Sequence, residues 1–186
     1  VALTRALWKD EADARGAPIE LVTDLDRVPP VEGQAAALRE AVMNLILNAV
    51  DAMPRGGRLG LTLRRVDAGV ELHVSDGGEG MPEDVRRRIF DPFFTTRAPH
   101  RTGLGLSVVH GVVNRHRGSV RVMSEHGGGT TVTLRFPAAP DHAVDSRTQV
   151  MPAMPEVSEM PAMKDPPEDE IRTTASVSIL VLEDEE

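Results

Sequence analysis

The sequence contains no cysteine, which excludes disulfide bonds and any zinc centre ligated by thiolates. No apolar run approaches the roughly 20 residues that span a bilayer. The first fifteen residues are mixed and charged, unlike a secretory leader. The cytoplasm is therefore the expected compartment, whether or not a parent protein carries a membrane anchor. A concentrated basic patch is missing too. The one dense basic run, at 86–88, is explained by a solvated helix face, so nucleic acid is not an expected partner. The net charge of −8 over 186 residues is unevenly placed, with residues 1–137 at +1 and residues 138–186 at −9. The acidity belongs to a tail, and the body is nearly neutral.

Residues 1–15 read as a short helix, and 1–18 as a connector from a preceding domain. "IELVTDL" (19–25) alternates as a strand does. "GQAAALREAVMNLILNAVDAM" (33–53) predicts a long helix, stopped by Pro54 and the glycines after it. "RLGLTLRRV" (58–66) and "VELHVSD" (70–76) predict a hairpin turning at 67–69. "MPEDVRRRIF" (81–90) predicts a helix opened by Pro82, with two acids in its first turn. "TGLGLSVVHGVVNRHRG" (102–118) predicts a glycine loop running into a helix that Gly118 ends. "SVRVMSE" (119–125) and "TTVTLRF" (130–136) predict strands joined by the turn 126–129. Seven of the fourteen prolines fall within 137–172 without any sustained period, so 138–176 reads as a flexible acidic linker. "VSILVLEDEE" (177–186) then returns to a buried-strand pattern ending in acids.

Three stretches carry candidate chemistry. "DGGEGMP" (76–82) sets Asp76 before Gly77, Gly78 and Gly80. Alone it reads as a turn, because only glycine takes positive φ freely. On the long helix, Ala41, Val42, Leu45, Ile46, Ala49 and Val50 form an apolar face. Glu40, Asn44 and Asn48 form a second line at i, i+4 spacing. Asparagine is a poor residue for a helix interior. Two of them among aliphatic residues either bond neighbouring backbone or turn amide oxygens into a polar cavity, to hold a hard cation such as Mg²⁺. "RTGLGLS" (101–107) is a glycine loop at a helix start, where freed N–H groups and the dipole suit an anion. It is neither a Walker A loop nor a dinucleotide fingerprint. Phe90, Phe93 and Phe94 are three of the four phenylalanines, and Phe90 reads as ordinary core.

In order, "EAVMNLILNAVDAM", "DGGEGM", "IFDPFFTT" and "TGLGLSVVHGVV" resemble the N, G1, F and G2 boxes of the sensor histidine kinases. "GGGTTVTLRFP" resembles their closing strands, and the resemblance covers about 19–137. It implies an α/β sandwich of the Bergerat type, shared with gyrase B, the Hsp90 chaperones and the mismatch-repair ATPases. That fold is a mixed five-stranded sheet covered by three helices, with ATP between the helix layer and a mobile lid. ATP, ADP as product, and Mg²⁺ are the implied cofactors. Asp76 is implied to accept from the adenine amine, with Gly78, Gly80 and Met81 beside the base. Asn48 is the implied Mg²⁺ ligand. Asn44 would sit at the phosphates or a metal-bound water, Asp51 nearby, and Glu40 would play a supporting catalytic role. Gly103 and Gly105 would give N–H groups to the phosphates, within a loop that includes Thr102, Leu104 and Leu106. Thr131 or Thr130 would lie near the adenine water. Phe93 and Phe94 would anchor the lid or dock on a helical domain. Arg97, His100 and Arg101 fall in the lid stretch 95–102, where a cation would contact the γ-phosphate. Arg101 stands where the family usually has a glycine, in a loop about one residue short.

The implied activity is transfer of the γ-phosphoryl to a histidine on a separate dimerisation domain, for relay to a receiver aspartate. None of His73, His100, His110, His116, His126 and His142 has the sequence context of that acceptor. The chain is therefore expected to bind Mg·ATP without phosphorylating itself. "SILVLEDEE" resembles the first strand and acidic pair of a receiver domain, with Glu183 and Asp184 at its acidic positions, as in a hybrid kinase. The implied partners are the dimerisation domain of the same protein and a receiver, its own or that of a response regulator. The parent would be a homodimer and this fragment alone a monomer. Two alternatives differ in class. An ATP-driven clamp of the gyrase or mismatch-repair type needs a glutamate where Asn44 stands. A nucleotide-binding module without activity fits poorly with the presence of Asp76 and Asn48.

Overall fold

The computed structural model describes residue 12 and residues 16–96, 102–140 and 176–177. The readings made above for Arg97, His100, Arg101, His142, the connector up to residue 11, most of the linker and residues 178–186 lie outside the described residues. The elements are β1 (Ile19–Leu25), β2 (Val31–Glu32), α1 (Ala35–Asp51), β3 (Gly57–Val66), β4 (Gly69–Asp76), α2 (Glu83–Arg86), α3 (Gly105–Arg115), β5 (Ser119–Ser124), β6 (Thr130–Pro137) and β7 (Ser176–Val177). Five strands form one sheet in the order β1-β3-β4-β6-β5. β1 runs parallel to β3, and every other neighbour is antiparallel. This is the mixed five-stranded sheet expected above. β2 and β7 form a separate two-residue antiparallel pair.

Strand alternation gives the sheet a dry face and a wet one. Leu59, Leu61 and Leu63 of β3, Val70 and Val74 of β4, and Val132, Leu134 and Phe136 of β6 are buried. Most of them pack with α1 and α3 into one core. The alternate positions are polar. His73 Nδ1 lies 3.0 Å from Thr133 Oγ1, and Glu71 lies 3.5 Å from His73 Nε2 and 3.9 Å from Arg135. At the far edge Arg64 pairs with Asp24 and Asp26. Its hydrogen bond to Asp24, helped by the attraction of opposite charges, holds that carboxyl below the usual range. On α1, Ala41, Leu45, Ile46, Ala49 and Val50 are buried, and Val42 packs half-buried on the same core. Burying one Leu or Ile is worth about 1.5–3 kcal/mol. Burial, rather than propensity, therefore holds a helix that carries two asparagines.

Two local expectations are corrected. The helix read at 81–90 is the single turn α2. After Arg87 the backbone bonds span three residues, from Arg88 N to Val85 O and from Asp91 N to Arg88 O. Pro92 disfavours helical backbone at Asp91 and so bars extension past 90, but nothing in the structure explains the earlier stop at Arg86. Ile89, not Phe90, enters the core, and Phe90 lies against the His110 ring at 5.2 Å. At the end of α3, which Gly118 closes as expected, the left-handed residue is Arg117 (φ 55°). Arg117 N–H donates to Asn114 O and Gly118 N–H to Val113 O, the paired bonds of a Schellman cap. Gly118 is required for space, since a Cβ there would lie 2.6 Å from Arg135 O on β6.

Candidate functional site

Between α1, the end of the sheet and the start of α3 lies a cleft of about 500 Å³. Its sheet wall ends in a polar row. Asp76 on β4 pairs in register with Thr130 on β6, and Thr130 with Ser124 on β5. Register partners share one face, and Asp76 and Thr130 both line the cleft. Asp76 Oδ1 also accepts the Gly78 N–H at 2.9 Å, a side chain closing its own turn two residues on. The carboxylate thus shapes the bend and faces the cavity. Gly80 has φ 62°, and a Cβ there would lie 1.8 Å from Glu125 O. Only glycine lets the bend lie on the turn between β5 and β6.

The helix wall carries Asn44 and Asn48, one turn apart and both lining the cleft. Among the described residues Asn48 Nδ2 is buried without a hydrogen-bond partner. The two ends of an amide exchange by rotation about the last torsion, so either its nitrogen or its oxygen can occupy that orphaned position. The backbone-bonding alternative does not describe Asn48. Across from it stands the start of α3. A Cβ on Gly105 would lie 3.5 Å from both Asn44 Oδ1 and Asn48 Nδ2. The N-cap residue Leu104 makes no side-chain hydrogen bond to the first turn. Free N–H groups and the positive end of the dipole therefore meet an amide pair, a setting for an anion accompanied by a hard cation. Among the described residues no group of three His, Asp or Glu could hold a metal. A cation here needs oxygens from its ligand, as Mg²⁺ takes them from polyphosphates.

Asp51, Met81, Thr102, Gly103 and Leu106 also line the cleft. Several expected residues do not. Glu40 is exposed and stands outside it. Gly78 backs onto Ala52 O and lines a smaller adjoining pocket. Leu104 points outward at 37% exposure, and Phe93 is 74% exposed. Phe94 takes the place in the cleft, with the Arg88 guanidinium 4.3 Å from its ring centre. Thr131 falls on the wet face, and of the two threonines Thr130 faces the cleft. Ser124 was missed altogether. It bonds Met81 N, Gly129 O and Thr130 Oγ1, and a lone serine at a strand end gives no sequence signal.

A family model described as histidine kinase-, DNA gyrase B- and HSP90-like ATPase matches residues 33–140. The sensor histidine kinase ZraS of Escherichia coli K12 is 40% identical over 126 residues, covering 67% of this chain and 27% of that protein. The chain thus spans about a quarter of the length of that relative. The mycobacterial sensor histidine kinase MprB superposes with a TM-score of 0.61 at 30% identity, covering 75% of this chain and 95% of that one. Full-length ShkA in complex with AMPPNP gives a TM-score of 0.63 at 29% identity, covering 74% of this chain and 29% of that one.

Proposed function

The chain belongs to the family of histidine kinase-, DNA gyrase B- and HSP90-like ATPases, and on that premise we propose that it is the ATP-binding catalytic half of a sensor histidine kinase. One observation carries the reading. The orphaned Asn48 amide faces the uncapped start of α3 in the cleft that Asp76 also lines. Asp76 accepts from the exocyclic amine of adenine. Guanine has a carbonyl there, and two acceptors facing one another in a buried site are strongly unfavourable. The Gly103 and Gly105 N–H groups and the α3 dipole hold the phosphates. Mg²⁺ arriving with the triphosphate would be held by the Asn48 amide oxygen and would offset charge on the phosphoryl oxygens. Asn44 orients the phosphates or a metal-bound water. Phosphoryl transfer is mostly positioning and charge stabilisation, which these groups supply. No side chain acting as a base for water is required of this chain.

The γ-phosphoryl passes to an imidazole nitrogen of a histidine on a dimerisation domain of the same parent, a homodimer, leaving ADP. Three of the chain's own histidines have structural partners: His73 with Thr133, His110 with Phe90 and His116 with Val112 and Gln34. The acidic strand-like sequence at 177–186 supports a receiver domain after the linker, which would make the parent a hybrid kinase. The test is incubation with γ-labelled ATP and Mg²⁺, with and without a dimerisation domain from a related sensor kinase. Label should appear on that domain's histidine and not on this chain. Steady phosphate release without any acceptor, abolished by Asn44→Ala, would contradict the reading and favour a hydrolytic clamp.

A further inference from the structure

The Ser124 hydroxyl meets three groups: Met81 N at 2.9 Å, Gly129 O at 3.0 Å and Thr130 Oγ1 at 2.9 Å. A hydroxyl has one proton to give and two lone pairs. The Met81 N–H can only donate, and the Gly129 carbonyl can only accept. All three contacts are satisfied together in one arrangement. Ser124 gives its proton to Gly129 O, accepts from Met81 N–H, and accepts the Thr130 proton on its second lone pair. The Thr130 proton then points along the row toward β5. Toward the cleft, Thr130 presents lone pairs alone, beside the carboxylate of its register partner Asp76. Two acceptors side by side suit a 6-amino purine edge, which brings two N–H donors. They oppose a 6-oxo edge, which brings an acceptor.

We propose that Ser124 is a positioning residue that sets the purine preference of the cleft by fixing the direction of the Thr130 hydroxyl. It rests on the nucleotide reading above and adds to it. Ser124 itself does not line the cavity. Removing its hydroxyl releases the Thr130 proton, which can then turn inward and donate to a 6-oxo group. The second effect is on Met81, whose amide loses its anchor to β5.

The test is calorimetric titration of the full chain with ADP and with IDP, in Mg²⁺. IDP differs from ADP only around the 6-position. Wild type should prefer ADP, and Ser124→Ala should shrink the preference about tenfold, the effect of one hydrogen bond of ordinary strength. In a Thr130→Val background the same substitution should change the ratio no further, because the hydroxyl it frees is already gone. A purely structural role for Ser124 would leave the ratio alone, or lower it equally in both backgrounds, and either result overturns the proposal. Ser124→Thr keeps the hydroxyl and should keep the wild-type ratio. Ser124→Cys, nearly isosteric and a weak hydrogen-bonding group, gives the same comparison if Ser124→Ala fails to fold. ADP binding with an unaltered ratio sinks this inference alone. Failure of the wild type to bind ADP sinks the nucleotide reading as well.

Discussion

Arg117 sits in the left-handed region at the end of α3, with φ 55°, a conformation that costs a non-glycine residue about 1–2 kcal/mol. Its side chain is exposed, so the position is set by the cap hydrogen bonds rather than by packing. Arg117→Gly should stabilise the fold by about 0.5–1 kcal/mol. The check is a higher urea midpoint with unchanged nucleotide affinity, and a lower midpoint would show that the arginine side chain contributes packing. Asn48 spends stability in a different way. A buried polar atom without a partner costs about 1–3 kcal/mol, and Asn48 Nδ2 is such an atom. Residues that give up stability in this manner collect at binding sites, and here the orphan faces the cleft.

At the scale of elements, the two long helices are joined through one imidazole. His116 is buried near the end of α3, where Nδ1 donates to Val112 O at 2.7 Å and Nε2 accepts from Gln34 N at 3.0 Å. Gln34 is the N-cap of α1, so the ring closes one helix and opens the other, edge-on to Phe136. His116→Ala leaves the Gln34 N–H without its acceptor and leaves a cavity. It should destabilise the fold by about 2–4 kcal/mol, read as a lower denaturant midpoint, and a loss below about 1 kcal/mol would contradict this linkage. None of it shows in the sequence, where His116 is one more histidine in a helix. What was legible there is local. Period-2 alternation gave the strands, and the apolar face of α1 gave its length. The line of Asn44 and Asn48 could be read because i, i+4 spacing within one helix needs no tertiary information. What failed needed neighbours. Alternation sets Thr130 in phase with buried Val132, Leu134 and Phe136, but that it stands beside Asp76 is known only from the β4–β6 register. The row Asp76–Thr130–Ser124 joins β4 to the later β5–β6 hairpin, with α2 and α3 between them in the chain. The start of α2 was correctly signalled by Pro82 and its acids, but the shift to three-residue backbone bonds after Arg87 carried no sequence signal.

Across the whole molecule, function and stability use different parts of one sheet. The dry face packs on α1 and α3 and supplies the core. The wet face carries the Glu71, His73 and Arg135 pairs. The cleft opens at the end of the sheet, where polar Asn44, Asn48, Asp76 and Thr130 share its lining with apolar Val74, Met81, Ile89, Phe94 and Val132. Among the described residues no helix is long and apolar enough to cross a membrane. The nearly neutral body leaves attraction for polyanions to the cleft itself, through the α3 N-terminus and the Asn44–Asn48 amides rather than through a basic surface. Calorimetric titration of ADP with Mg²⁺ into wild type and Asp76→Asn therefore tests the purine and phosphate ends together. Saturable binding to wild type, weakened at least about tenfold by Asp76→Asn, is the expected result. Absence of binding to wild type, or equal binding by the two proteins, would contradict it.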